Sequence, residues 1–229
     1  MNKTKQYALL FLALLTLSAY SSKDNLNTDP TDIENGWRTK TIVVQNGGKT
    51  PTVMQLLRAF NAVWHTDAAD IIISTAGDKE DFIDEWYEGQ SPVFVDNIDY
   101  CTAWYNPDGT DGQRLACRTY QRKNGHMLFA VRIGQAKPGQ KAFCCFYDYN
   151  PKKQTLTPED EPYKDLKRKS QHSVLNYYLG EKYDQTVIVE EILEDGNSWY
   201  HHYAWNGKKH VFHHVGEDSY GPDDEGYDE

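Results

Sequence analysis

The strongest constraint on the fold lies in the second half of the chain. There, short runs of aromatic, β-branched and cysteine residues alternate with turn signals. Tyr100–Tyr105, Leu115–Gln121, His126–Ile133 and Ala142–Tyr149 are separated by the segments NPDGTDGQ, KNG and GQAKPGQ. Runs of this length bounded by Gly, Pro, Asn and Asp are strand signals, because those residues supply the backbone angles a reversal needs. Asn124-Gly125 suits the positive φ of a tight hairpin turn. Thr186–Leu193 and Trp199–Trp205 read as two further strands, and Asn206-Gly207 turns the chain into His210–Val215. No repeat of propeller or solenoid length emerges, so the pattern predicts an antiparallel meander.

The helix signal comes earlier. Thr50-Pro51-Thr52 offers an N-cap with proline just inside, and Val53, Leu56, Leu57, Phe60, Val63 and Trp64 recur at helical spacing. The stripe they form must bury itself against a sheet. Ile42–Val44 and Ile71–Ile73 read as short strands, and Asp81–Glu88 as a second short helix. The expected class is α+β and strand-dominated, with an N-terminal amphipathic helix packed on an antiparallel β meander.

The ends read differently. Lys3 and Lys5 precede the apolar run YALLFLALLTL at Tyr7–Leu17, which has the length of a signal-peptide core and is too short to span a bilayer. Leu17-Ser18-Ala19 followed by Ser21-Ser22 resembles a lipobox and its tether, but Tyr20 stands where the lipidated cysteine would be. A tyrosine hydroxyl cannot replace the thiol in that chemistry. The expected organisation is a signal peptide over 1–20, a flexible linker over 21–35, one domain over 36–215 and a disordered acidic tail over 216–229. The tail carries seven carboxylates and accounts for most of the net charge of -10. The folded part is therefore close to neutral, which argues against nucleic acid as a partner. Export places the chain in the periplasm or outside the cell, membrane-associated only through the signal peptide or a lipidated cysteine at position 20.

Four cysteines, Cys101, Cys117, Cys144 and Cys145, show no C-x-x-C spacing. An exported address permits a disulfide. Adjacent Cys144 and Cys145 would point to opposite faces of a strand, so at most one shares a face with Cys101 or Cys117. One disulfide and four buried free thiols are both open.

The lipobox-like signal, the LLRAFNAVW helix, FYDYNPKKQTLTPE and the closing YAWNGKKHVFHH hairpin together resemble a family of small uncharacterised exported lipoproteins of the Bacteroidetes. That resemblance implies envelope location and a small mixed architecture, and brings no catalytic residues.

Two groups of residues carry candidate chemistry. Of the eight histidines, five fall in the last hairpin: His201, His202, His210, His213 and His214. With a two-residue Asn206-Gly207 loop, His201, His210 and His214 would converge on one face as ligands for Zn or Cu, in a metal-binding and conceivably hydrolytic protein. A four-residue loop would instead set His201 opposite His214. The second group is aromatic: Trp86, Trp104, Tyr105, Trp199 and Trp205 suit stacking on sugar rings, and point to an extracellular glycan or an envelope protein as ligand. Nucleophile elbows, phosphate-binding loops and kinase or lactamase motifs are absent from the sequence, which favours a binding role over an enzymatic one.

Overall fold

The structure, a computed structural model, describes residues 28–76, 83–85, 93–96, 99–105, 113–135, 142–163, 166–180 and 185–220. It is strand-dominated, with two antiparallel sheets and three short helices among these residues. The larger sheet contains β1 (Ile42–Val43), β2 (Ile83–Glu85), β3 (Val93–Asp96), β4 (Tyr100–Tyr105), β5 (Gln113–Gln121), β6 (Met127–Gln135), β7 (Phe143–Asn150) and β8 (Thr155–Pro158). Its spatial order is β1-β8-β7-β6-β5-β4-β3-β2, a meander with the first strand returned to the far edge. The smaller sheet is a second meander of β9 (Val174–Leu179), β10 (Thr186–Ile192), β11 (Ser198–Asn206) and β12 (Val211–Tyr220).

Helix α1 (Pro30–Gly36) starts at Asp29, whose carboxylate accepts the Thr31 N–H at 2.7 Å, with Pro30 at the first helical position. A 3-10 turn over Trp37–Thr39 follows. Helix α2 (Val53–Asn61) opens with a capping box in which Thr52 and Gln55 satisfy each other's backbone N–H groups. Helix α3 covers Asp67–Ala76. The Ile71–Ile73 triplet expected as a strand lies inside it. The Thr66 hydroxyl accepts the Ala69 N–H at 3.2 Å, and Ala68, Ala69, Ile72 and Ala76 are buried at helical spacing. The converse correction applies within Asp81–Glu88: Ile83–Glu85 is a strand paired with β3, and the rest of that segment lies outside the described residues.

The central strands are covered on both sides. On one face of β7, Tyr147 meets Trp37 at 5.6 Å and Phe60 at 6.1 Å between ring centroids. On the opposite face, Phe146 meets Tyr163 at 6.0 Å, and Tyr163 meets Tyr203 of the smaller sheet at 5.7 Å. Tilted ring pairs of this kind add about 0.5–1.5 kcal/mol each beyond the area they bury. Double coverage explains why AFCCFY is continuously apolar where a half-exposed strand would alternate.

Polar ties fix the two sheets against each other. The Tyr120 hydroxyl donates to Thr186 O at 3.1 Å, the Arg118 guanidinium to Gly180 O and Arg132 to Tyr177 O. Each arginine reaches a backbone carbonyl of the facing sheet. The ordered chain also reaches further than the sequence suggested: α1 begins within the expected linker, and β12 runs through Tyr220 into the expected tail. Among the described residues, no helix is long and apolar enough to cross a membrane.

Candidate metal centre

The site is built on the inner face of the smaller sheet, the face that looks toward the larger one. Register places Val189 opposite His201 and Val187 opposite Tyr203, all four buried, and continues the same face to Glu191. Glu191 and His201 are 0% and 2% exposed, an acid and an imidazole in a row that otherwise reads as core. A charge buried this way is tolerated only if its lone pairs are met. They are. The Glu191 carboxylate accepts the Lys169 N–H at 2.7 Å, the Ser170 N–H at 3.0 Å, the Ser173 hydroxyl at 2.6 Å, and His201 Nε2 at 3.0 Å. Burial pushes its pKa upward, but the hydrogen bonds from Ser173, from the Lys169 and Ser170 backbone and from His201 outweigh it and bring it down to about 2.

An ionised carboxylate accepts only, so His201 donates to it from Nε2 and leaves Nδ1 on the other side of the ring. That nitrogen lies 3.5 Å from Glu217 Oε2. His214 completes the group: its ring centroid is 6.3 Å from that of His201 and 5.5 Å, edge-on, from that of Tyr203. One donor atom each from His201, His214 and Glu217 lie within 4.8 Å of one another, with His201 buried and the other two exposed. Tetrahedral zinc with bonds of 2.0–2.2 Å sets its ligand atoms about 3.4 Å apart. Ligation at that distance requires the exposed His214 and Glu217 side chains to turn inward.

A β-bulge makes this grouping. Pairing runs Tyr203↔His214, then His202↔Gly216 and His201↔Glu217, so Val215 is left unpaired. In a regular strand residues three apart face opposite ways. The extra residue restores the phase and brings His214 and Glu217 to one face. The loop before them has four residues, Gly207–His210, with Asn206 paired to Val211. This corrects the two-residue turn, and the four-residue loop does not set His201 opposite His214 either, since His214 pairs with Tyr203 and His201 with Glu217. His210 sits at the end of the loop at φ 59°, donating its N–H to Asn206 O at 2.8 Å, and takes no part in the group. His202 points the other way and meets Asp218 at 3.0 Å.

Lys169 ties the rim together. Its ammonium bonds Glu217 Oε1 at 2.9 Å and lies 4.0 Å above the Trp199 ring. The same contact holds the Glu217 carboxyl below the usual carboxylate range. Glu191, Glu217 and Lys169 were not among the expected site residues. An acid in phase with Val187 and Val189 was the signal available for Glu191. Glu217 was hidden by its assignment to the tail.

The aromatic candidates do not form one platform among the described residues. Trp199 lies under Lys169. Trp205 packs on Phe212 at 5.0 Å and on Tyr120 at 5.5 Å, and donates its indole N–H to Gln121 O at 2.8 Å. Trp104 and Tyr105 are placed as positions of β4, their side chains outside the described residues, and Trp86 lies outside them altogether.

No protein-family profile and no curated protein matches the chain. Among solved structures it is similar to a domain of an uncharacterized protein from Porphyromonas gingivalis W83, at 10% identity and a TM-score of 0.43. The match covers 64% of this chain and 87% of that one.

Proposed function

We propose that this chain is an exported, non-enzymatic protein that binds a divalent transition-metal ion, zinc or copper, through His201 Nδ1, His214 and Glu217. The observation that carries the reading is the buried Glu191 carboxylate, which holds the His201 ring by Nε2 so that a His201 nitrogen lies within 4.8 Å of donor atoms of His214 and Glu217. Histidine ligands to metals commonly donate their second N–H to a carboxylate in this way. Two imidazoles and a carboxylate suit zinc or copper. Export rests on Lys3, Lys5 and the Tyr7–Leu17 run. A glycan-binding role draws less support, since Trp199 and Trp205 are both engaged by the protein itself.

The test is titration of the purified full chain with Zn²⁺ and Cu²⁺ by calorimetry, beside elemental analysis of the protein as isolated. The variants are His214→Ala and Glu217→Gln, both at exposed positions that the core does not need. One equivalent bound by the wild type and lost in both variants is expected. A wild type that takes up no metal, or variants that bind as well as it does, would overturn the reading.

A further inference from the structure

The larger sheet holds a second arrangement of chemistry-bearing side chains, independent of the metal centre. Cys101 on β4 and Cys117 on β5 are direct cross-strand partners, both 0% exposed. Two residues along the same ladder, Thr119 donates its N–H to Asp99 O at 2.8 Å. Hydrogen-bonded pairs alternate along an antiparallel ladder, so Cys101 and Cys117 are themselves such a pair, with Cα atoms about 5.5 Å apart. That lies within the usual Cα range for a disulfide of about 4.4–6.8 Å. Both residues are free thiols in this structure, and closing the bond draws their Cβ atoms together from the roughly 4.5–5.5 Å of a cross-strand pair.

The other two thiols are excluded by position. Cys145 pairs with Val131, which pairs with Cys117, so two strand spacings, about 9.5 Å, separate the cysteines. Cys144 points to the opposite face, toward the smaller sheet, where it pairs with Arg132. Adjacent Cys144 and Cys145 have no thiol partner on their own faces within bridging reach among the described residues. Burial raises the Cys117, Cys144 and Cys145 thiols alike in the folded chain, so position and not reactivity separates the four cysteines.

We infer that Cys101 and Cys117 are a disulfide site, closed in an oxidising compartment and tying β4 to the central sheet. Chemically, one cysteine thiolate attacks the disulfide of an exogenous oxidant, of the glutathione or protein-disulfide class, and releases one oxidant thiol. The second cysteine thiolate then displaces the other. One S–S bond forms, and two protons and two electrons pass to the oxidant, which leaves as two thiols. With both cysteines wholly buried in the folded chain, the step belongs to folding. The crosslink closes a loop of about 16 residues, a length for which chain entropy predicts appreciable stabilisation.

The full chain, refolded from denaturant in a glutathione redox buffer and alkylated, is digested and mapped by mass spectrometry with and without reduction. The expected result is a linked peptide pair containing Cys101 and Cys117, with Cys144 and Cys145 alkylated. Thermal unfolding should also shift down by about 5–10 °C on reduction, a shift absent from the Cys101→Ser/Cys117→Ser double variant. Four alkylated cysteines, or a bond through Cys144 or Cys145, would overturn it. Metal content does not enter this experiment, so its outcome is separable from that of the metal titration.

Discussion

His201 Nε2 and Glu191 Oε2 meet at 3.0 Å inside the smaller sheet, between side chains 3% and 0% exposed. Neither residue could be buried alone. Removing one partner of such a pair leaves the other uncompensated, which typically costs about 3–5 kcal/mol, whereas replacing both by apolar residues is often neutral. Glu191→Ala should therefore lose about that much in chemical denaturation, and the double variant Glu191→Leu/His201→Leu should recover most of it. The milder Glu191→Gln should keep the fold and weaken metal affinity about 10–100-fold, through loss of the group that orients His201. A Glu191→Gln protein that binds as tightly as wild type would remove the positioning role.

Deleting Val215 makes a counter-intuitive prediction. Shortening a regular strand by one residue turns everything beyond the deletion to the other face. Here the deleted residue is the one the ladder leaves out, so Tyr203↔His214 and His201↔Glu217 both survive in a regular register. Metal affinity in the deletion variant should stay within about tenfold of wild type, a penalty no larger than a perturbed supporting contact gives. A duplicated Val215 should turn Glu217 outward and abolish binding. Calorimetry on both variants reads the bulge directly; the reverse pattern would mean that β12 pairs in another register.

Alkaline pH should unfold the protein through its tyrosines. Burial raises the Tyr177 hydroxyl to about 12, tempered by Tyr163, and burial together with Glu190 raises Tyr178 to about 12. Both folded values lie above the unfolded value near 10. The stability they contribute is thus fully present below about pH 10 and lost as pH rises from there through about 12. For the well-buried Tyr177 the loss is on the order of 2 kcal/mol. Tyrosinate absorbance should rise in two phases, the first near pH 10 from tyrosines outside the core and a second at higher pH that coincides with loss of the folded dichroism spectrum. Ionisation of all sixteen tyrosines near pH 10 with an unchanged dichroism spectrum would contradict the packing of these rings.

Strand dominance was legible because alternating runs and Gly/Asn/Asp punctuation are local properties, and backbone preferences at each turn act within a few residues. Division into two sheets was not. AFCCFY and TVIVEEIL look alike as apolar runs, yet Phe146 packs against one neighbouring layer and Tyr147 against another. Only the three-dimensional stacking of helices, larger sheet and smaller sheet supplies the second face. Ile71–Ile73 shows the opposite failure: three β-branched residues favour a strand locally, and the Thr66 cap and the buried alanines override them.

The candidate metal site divides along the same line. A histidine-rich closing hairpin, and the residues His201 and His214 within it, are written in the sequence. Which histidines share a face was decided by a four-residue loop and one unpaired residue, Val215, neither of which leaves a compositional mark. Glu191 and Lys169 joined the site from 10 and 32 residues before His201, since long-range packing carried the Lys169–Ser173 turn to the carboxylate. Local chemistry chose the kinds of element and the kinds of donor. Burial and register, which depend on every layer at once, chose which of those donors meet.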